Sequence, residues 1–240
     1  MKISIITLFP EMFDGFINTS IIKKGILKEH VEVEIIDMRS YTLDKHNRVD
    51  DYPFGGGAGL VLMAQPVVDA IQDVRQDNSW VVLMTPQGAS FSQKVATTYA
   101  NNYEHLVLVC GHYEGFDERI RSYADAEISI GDYVLTGGEL SAMVISDAII
   151  RLLDGVITQE SHEDDSFSDG LLEYPHYTRP RVYEGQEVPE VLLSGHHENI
   201  RKWRLKTSLE RTYHKRPDLL EKREFTKEEM KMLAEIKAEK

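Results

Sequence analysis

Two hundred and forty residues, 42% hydrophobic and 28% charged, are enough for one large or two modest domains of an ordinary soluble globular protein. A net charge of −13 excludes general nucleic-acid affinity, because phosphate contacts need clustered cations. The single cysteine, Cys110, excludes an intramolecular disulfide and fits a reducing, cytoplasmic setting, and no apolar run approaches the roughly 20 residues of a membrane helix.

The opening Lys2-to-Phe9 stretch is too short for a signal peptide, and Pro10 and Glu11 follow where a small-residue cleavage site should lie. It reads as a first strand, Ile3–Leu8. Further strands are expected at Val31–Ile36, Val81–Met84 and Leu106–Cys110, all nearly continuous hydrophobic runs of the kind covered on both faces. Between them Met12–Leu27, Gln65–Val74 and Ser92–Ala100 read as helices, and Gly138–Leu153 closes the region with Leu140, Val144, Asp147 and Arg151 at helical spacing. This alternation predicts an α/β fold with a mostly parallel sheet.

Residues 156–178 lose periodicity, and Gln159 to Glu173 holds six acids and no base. From Pro189 the chain turns helical. Thr226 with Glu229 forms a capping box, and Phe225 with Met230 fits a hydrophobic staple. Leu205, Leu209 and Tyr213 line one helix face; Arg201, Arg204, Ser208 and Arg211 share another. Arg201 to Arg223 carries nine Lys/Arg against three acids, either a solvated face or a site for an anionic partner. The expected organisation is an α/β domain over 1–158, a loop over 159–175 and a small helical domain over 176–240, with no internal repeat.

Three glycine clusters, Gly55–Gly59, Gly111–Gly115 and Gly131–Gly138, match neither the dinucleotide fingerprint nor a phosphate loop. Gly111 nevertheless follows the run Leu106–Cys110, at the carboxyl end of a strand, where open α/β sheets bind ligands. The clusters are open to two readings, tight turns or close backbone approach to a ligand. Asp117 and Glu118 are explained by the acidic first turn of a helix starting near Phe116; Glu114, ahead of a glycine, is not. Nine histidines show no metal-ligand spacing, the pair His196-His197 included.

In chain order, Leu8-Phe9-Pro10-Glu11-Met12-Phe13, Pro53-Phe54-Gly55-Gly56-Gly57, Pro86-Gln87-Gly88, Gly111 through Arg119, Ser129 through Leu135 with Gly137-Gly138-Glu139-Leu140, Asp165-Ser166-Phe167, Pro175 through Pro180 and Leu192-Leu193-Ser194-Gly195 resemble the bacterial tRNA (guanine-N1)-methyltransferase family of the SPOUT superfamily. The resemblance runs from residue 1 to about 220. It implies a deep trefoil knot, an exception to unknotted topology, and a homodimer with active sites at the subunit interface. It implies a methyl transfer from S-adenosylmethionine to N1 of the guanosine at position 37 of tRNA, next to the anticodon. The cofactor would be held by Leu83, Met84, Thr85, Pro86, Gln87 and Gly88; by Gly111, Tyr113 and Gly115; and by Ile130, Gly131, Tyr133, Val134, Leu135, Gly137, Gly138 and Ser141. Ser141 stands where relatives usually have proline, and Asp164 where many carry glutamate.

Guanine N1 carries a proton at neutral pH, so the reaction needs a base and a partner for negative charge developing toward O6. The resemblance implies Asp165 as base; read alone it also suits a turn cap with Ser166. Arg151 would steady the O6 charge, or close its helix by dipole interaction. Glu114 would contact the base or a magnesium ion, which Asp164 and Asp165 could share. Arg201, Arg204 and Arg211 would meet tRNA phosphates. Asp50 and Arg48, with the first glycine cluster, fall to RNA contact or the dimer interface. The target base would leave its stack, and the acidic 159–173 loop would order over it. A SPOUT enzyme acting on rRNA or a ribose hydroxyl would not need the carboxylate at 165. A non-catalytic RNA-binding module would not need the glycine-rich strand ends, and a nucleotide-dependent oxidoreductase lacks the fingerprint.

Overall fold

A computed structural model describes residues 1–158, 165–221 and 223–238. The chain divides into two compact units, Met1–Thr158 and Gln159–Lys240. The first is built on a five-stranded sheet of β1 (Lys2–Thr7), β2 (Glu32–Asp37), β5 (Ser79–Ser90), β6 (His105–Cys110) and β7 (Ala126–Ser129), in the order β2-β1-β6-β5-β7. Every pairing in it is parallel. A small antiparallel pair, β3 (Asp50–Asp51) with β4 (Val61–Leu62), lies in the long polar loop.

The helices of this unit are α1 (Asp14–Ile17), α2 (Ser20–Leu27), α3 (Ala64–Val74), α4 (Gln93–Asn102) and α5 (Glu139–Ile150). The continuous hydrophobic runs have their cause in two cores. On one face Ile3, Ile5, Val82, Leu106 and Leu108 pack with Phe13, Ala96, Ile145 and Ile149. On the other Ile6, Val81, Leu83, Val107 and Val109 pack with Met38, Val67, Ile71 and Ile120. Alternate residues of one strand therefore meet different helices, and neither set can be polar.

Four elements differ from the sequence expectation. The helix expected over Met12–Leu27 is a 3-10 turn, Pro10–Phe13, then α1 and α2. The Asn18 amide donates to Asp14 O at 2.9 Å, the Thr19 hydroxyl to Gly15 O at 2.6 Å, and Ser20 takes φ 52, so local side-chain bonds end the first helix. β5 continues past Met84 through Thr85-Pro86-Gln87-Gly88, with a register shift against β7 between Met84 and Ala89. β7, Ala-Glu-Ile-Ser, had no sequence signal because it is short and only half apolar. The turn after Phe116 is a 3-10 helix, Glu118–Tyr123, whose first amides meet the Asp117 side chain at Arg119 N, 2.9 Å.

In the second unit the helix His197–Lys215 packs against Lys227–Ala238 around Leu171, Leu209, Leu233 and Ile236, with Leu205, Tyr213 and Phe225 at the margin. The capping box is formed: Thr226 N donates to Glu229 Oε2 at 2.7 Å and Glu229 N to Thr226 Oγ1 at 3.2 Å. Met230 is half exposed, while Phe225 joins the core. Ser208, expected beside the arginines, is buried. Among the described residues no helix is long and apolar enough to cross a membrane.

Candidate functional site

Because β5, β6 and β7 are parallel neighbours, the segments after Met84, Cys110 and Ser129 leave the same edge of the sheet. Together they enclose a cleft of about 380 Å³, a size typical of small-molecule sites. Met84, Thr85, Pro86 and Gln87 line it from β5. Gly111, Tyr113, Glu114 and Gly115 line it from the next segment, and Ile130, Gly131, Tyr133, Val134, Leu135, Gly137, Gly138 and Ser141 from the third. Leu83 and Gly88 do not line it. The Leu83 side chain is fully buried under α3, and Gly88 packs on β7, where a Cβ would come within 2.4 Å of the Glu127 carbonyl carbon.

The third segment folds down onto the end of β6. Gly138 N donates to Gly111 O at 2.7 Å, and His112 bridges Gly137. A Cβ on Gly138 would sit 2.8 Å from Cys110 Cα, so this position must be glycine for the backbones to touch, and one on Gly137 would run into the Glu139 and His112 side chains. Glu139 then opens α5 with its carboxylate buried, accepting from Thr7 Oγ1 at 2.8 Å. Burial, with Glu139 close by, pushes the Cys110 thiol well above its ordinary value, so it is an inert packing residue.

His112 has its ring between Phe9, at 5.0 Å, and Tyr113, at 4.8 Å. Its Nδ1 is buried without a hydrogen-bond partner among the described residues. Such an atom costs about 1–3 kcal/mol unless something completes it. His112 lines the cleft, as do Phe116, Glu118, Arg121, Ile128, Ser129 and Thr136. Composition could not find Arg121, Ile128 and Ser129, since they depend on β7 and on the turn before it.

Glu114 belongs to a second layer of contacts. Its amide donates to Leu60 O at 3.0 Å, and Leu62 N donates to Gly115 O at 2.9 Å. Gly59 (φ +82) lies under the Glu114 side chain, where a Cβ would come within 2.4 Å of the carboxylate. The first glycine cluster thus ends against Glu114. Burial, and then Asp50, raises the Tyr113 phenol above its ordinary value, so Asp50, Tyr113, Glu114 and Gly59 are neighbours. Arg48 pairs with Asp44 at 2.9 Å.

Arg151 is the C-cap of α5, its amide donating to Asp147 O at 3.1 Å. Asp165 lies in the second unit, at a turn closed by Ser168 N to Asp165 O, 3.1 Å. It lines a separate cavity of about 500 Å³ with Tyr174, His197, Arg201 and Arg204. Asp164 lies outside the described residues. Among the described residues no group of three or more His, Cys, Asp or Glu could hold a metal ion.

The expected basic face is less open than its composition suggests. Arg201 binds Glu198 and Glu228, each at 2.9 Å; Arg211 donates to Glu173 O at 3.1 Å; Arg204 stacks 4.6 Å over the Tyr174 ring. Those two carboxylates hold the Arg201 guanidinium firmly protonated.

A sequence model described as tRNA (Guanine-1)-methyltransferase TrmD matches residues 1–222. Proteins named tRNA (guanine-N(1)-)-methyltransferase in Bacillus cereus (strain AH820) and Bacillus anthracis (strain A0248) are each 57% identical to this chain over 242 residues, covering 99% of both chains.

Proposed function

The chain belongs to the tRNA (guanine-N1)-methyltransferase family, and from that premise we propose that it methylates N1 of the guanosine at position 37 of tRNA, with S-adenosylmethionine as donor. The observation that carries the reading is the glycine-cradled cleft at the carboxyl ends of β5, β6 and β7, with the unmatched His112 Nδ1 in its wall. The glycine-rich segments that line the cleft leave main-chain amides and carbonyls unshielded by side chains, which suits a nucleoside ligand. The bound sulfonium supplies a methyl group already activated for in-line displacement.

The chain's own residues must do the rest. Asp165 accepts the N1 proton on a carboxylate oxygen, and Arg151, always charged, opposes the negative charge moving toward O6. Glu114, buttressed by Gly59, contacts the target base on the cleft side. Magnesium would need a cluster of oxygen ligands, and among the described residues no group of three or more His, Cys, Asp or Glu forms one.

The helical second unit, with Arg201, Arg204 and Arg211, serves as the tRNA-binding domain. Phosphates would compete there with Glu198 and Glu228. A trefoil knot, a homodimer and a cytoplasmic setting complete the proposal. The homodimer is supported by half-exposed Leu140 and Val144, one turn apart on α5 beside the cleft, with Tyr133 and Val134 also exposed. The test is incubation with labelled S-adenosylmethionine and unmodified tRNA transcripts, followed by nucleoside analysis. N1-methylguanosine is expected; ribose methylation or rRNA labelling alone would reject the reading.

A further inference from the structure

Arg121 lines the cleft between the extension of β5 and β7. It belongs to the 3-10 turn Glu118–Tyr123 that follows the Gly111–Gly115 segment. Through Nε it donates to Glu118 Oε2 at 2.9 Å, and through Nη1 to Glu127 on β7, the strand that leads into Ile130–Gly138. Through Nη2 it donates to Gln87 Oε1, at 3.0 Å, on the extension of β5. One guanidinium therefore ties the extension of β5 to β7 and to its own turn. Its side chain is only 21% exposed, and its pair with Glu127, itself 31% exposed, is less screened than a surface pair.

The chemistry of the fork decides the orientation of Gln87. A guanidinium has five donors and no acceptor, so Gln87 must offer it the amide oxygen. The NH₂ group of Gln87, a residue that lines the cleft, is then the end left for a ligand acceptor such as a hydroxyl or ring nitrogen. We propose that Arg121 is a positioning residue for the nucleoside ligand. It clamps the Thr85–Gly88 segment to β7 and sets the Gln87 amide with its donors toward the ligand. This rests on the reading of the cleft as the S-adenosylmethionine site. Without Arg121, Gln87 is free to rotate, and Glu118 and Glu127 lose their shared counter-charge.

The experiment is a titration of S-adenosylmethionine into wild type, Arg121→Met, Arg121→Lys, Gln87→Leu and the Arg121→Met/Gln87→Leu double variant. Calorimetry is paired with thermal unfolding and steady-state kinetics. Arg121→Met should weaken binding and raise KM for S-adenosylmethionine about tenfold, within the range of coupled polar neighbours, with kcat and KM for tRNA changed less than about twofold. Gln87→Leu should lose a similar amount, and the double variant no more than either single. Lysine, a point charge that cannot reach three acceptors, should restore only part.

Unchanged affinity in folded Arg121→Met overturns the proposal, and so do losses that multiply in the double variant. If Arg121→Met does not fold, wild-type affinity in Arg121→Lys or Gln87→Leu overturns it. Failure of the wild type to bind S-adenosylmethionine would instead reject the reading of the cleft.

Discussion

His105 is buried at the amino end of β6, its ring between two hydroxyls, Ser4 Oγ at 3.0 Å and Ser79 Oγ at 2.7 Å. Burial is the largest cause holding it below its ordinary 6.5; Lys2 adds to this, while Glu34 and Glu32 oppose it. The folded chain therefore binds fewer protons here than the unfolded chain just below pH 6.5. Stability present above that value should fall as the pH drops toward the depressed folded value, then level off. Urea midpoints at neutral and mildly acidic pH should fall further in wild type than in His105→Asn; equal falls would mean that His105 takes no part. Asp165 makes a different demand at the same scale. Asp165→Asn keeps the shape but cannot accept a proton, so single-turnover methylation should fall by roughly 10²-fold, with S-adenosylmethionine affinity retained. A near-normal rate would move the base elsewhere, with Glu114 next to be tested.

Among the elements, the arginine-bearing helix and the two glycine-rich strand ends were legible to different degrees. The spacing of Leu205, Leu209 and Tyr213 identified the buried face of the helix, because that face needs only one sequence-local period. It misassigned Ser208, and it could not show that Arg201 reaches Glu228, which is 27 residues away. If Arg201, Arg204 and Arg211 exchange their partners for phosphates, replacing all three by alanine should flatten the plot of log affinity against log salt by up to about 2.7, at about 0.9 per phosphate. S-adenosylmethionine affinity should not change. A slope equal to that of wild type would leave these arginines as internal braces of the helical unit. The strand ends behave differently: Gly111 was placed by the apolar run before it, whereas the extension of β5 was hidden by its polar sequence.

Over the whole molecule, the net charge of −13 divides into −10 over Met1–Thr158 and −3 over Gln159–Lys240, the unit that carries both the basic segment and the acidic 159–173 stretch. The apolar residues exposed on α5 and on the loop before it call for a cover at this scale. Light scattering should give about twice the 27.5 kDa chain mass if the proposed homodimer forms. Leu140→Asp/Val144→Asp should shift the protein toward monomer. Monomeric wild type at micromolar concentration, or a dimer untouched by that pair, would count against this face.

What the sequence determined alone were the parallel α/β architecture, the strand-end position of Gly111 and the ordered motifs that carry the family. Each is written in a local period or in a run of fixed residues, and needs no partner to be read. Tertiary structure alone decided that the first glycine cluster ends against Glu114, that β7 completes the cleft, and that Arg121 joins β7 to the extension of β5. Those are contacts between strands and turns far apart in the chain. A residue's type limits what it can touch, but only the packing of the sheet chooses which partner arrives.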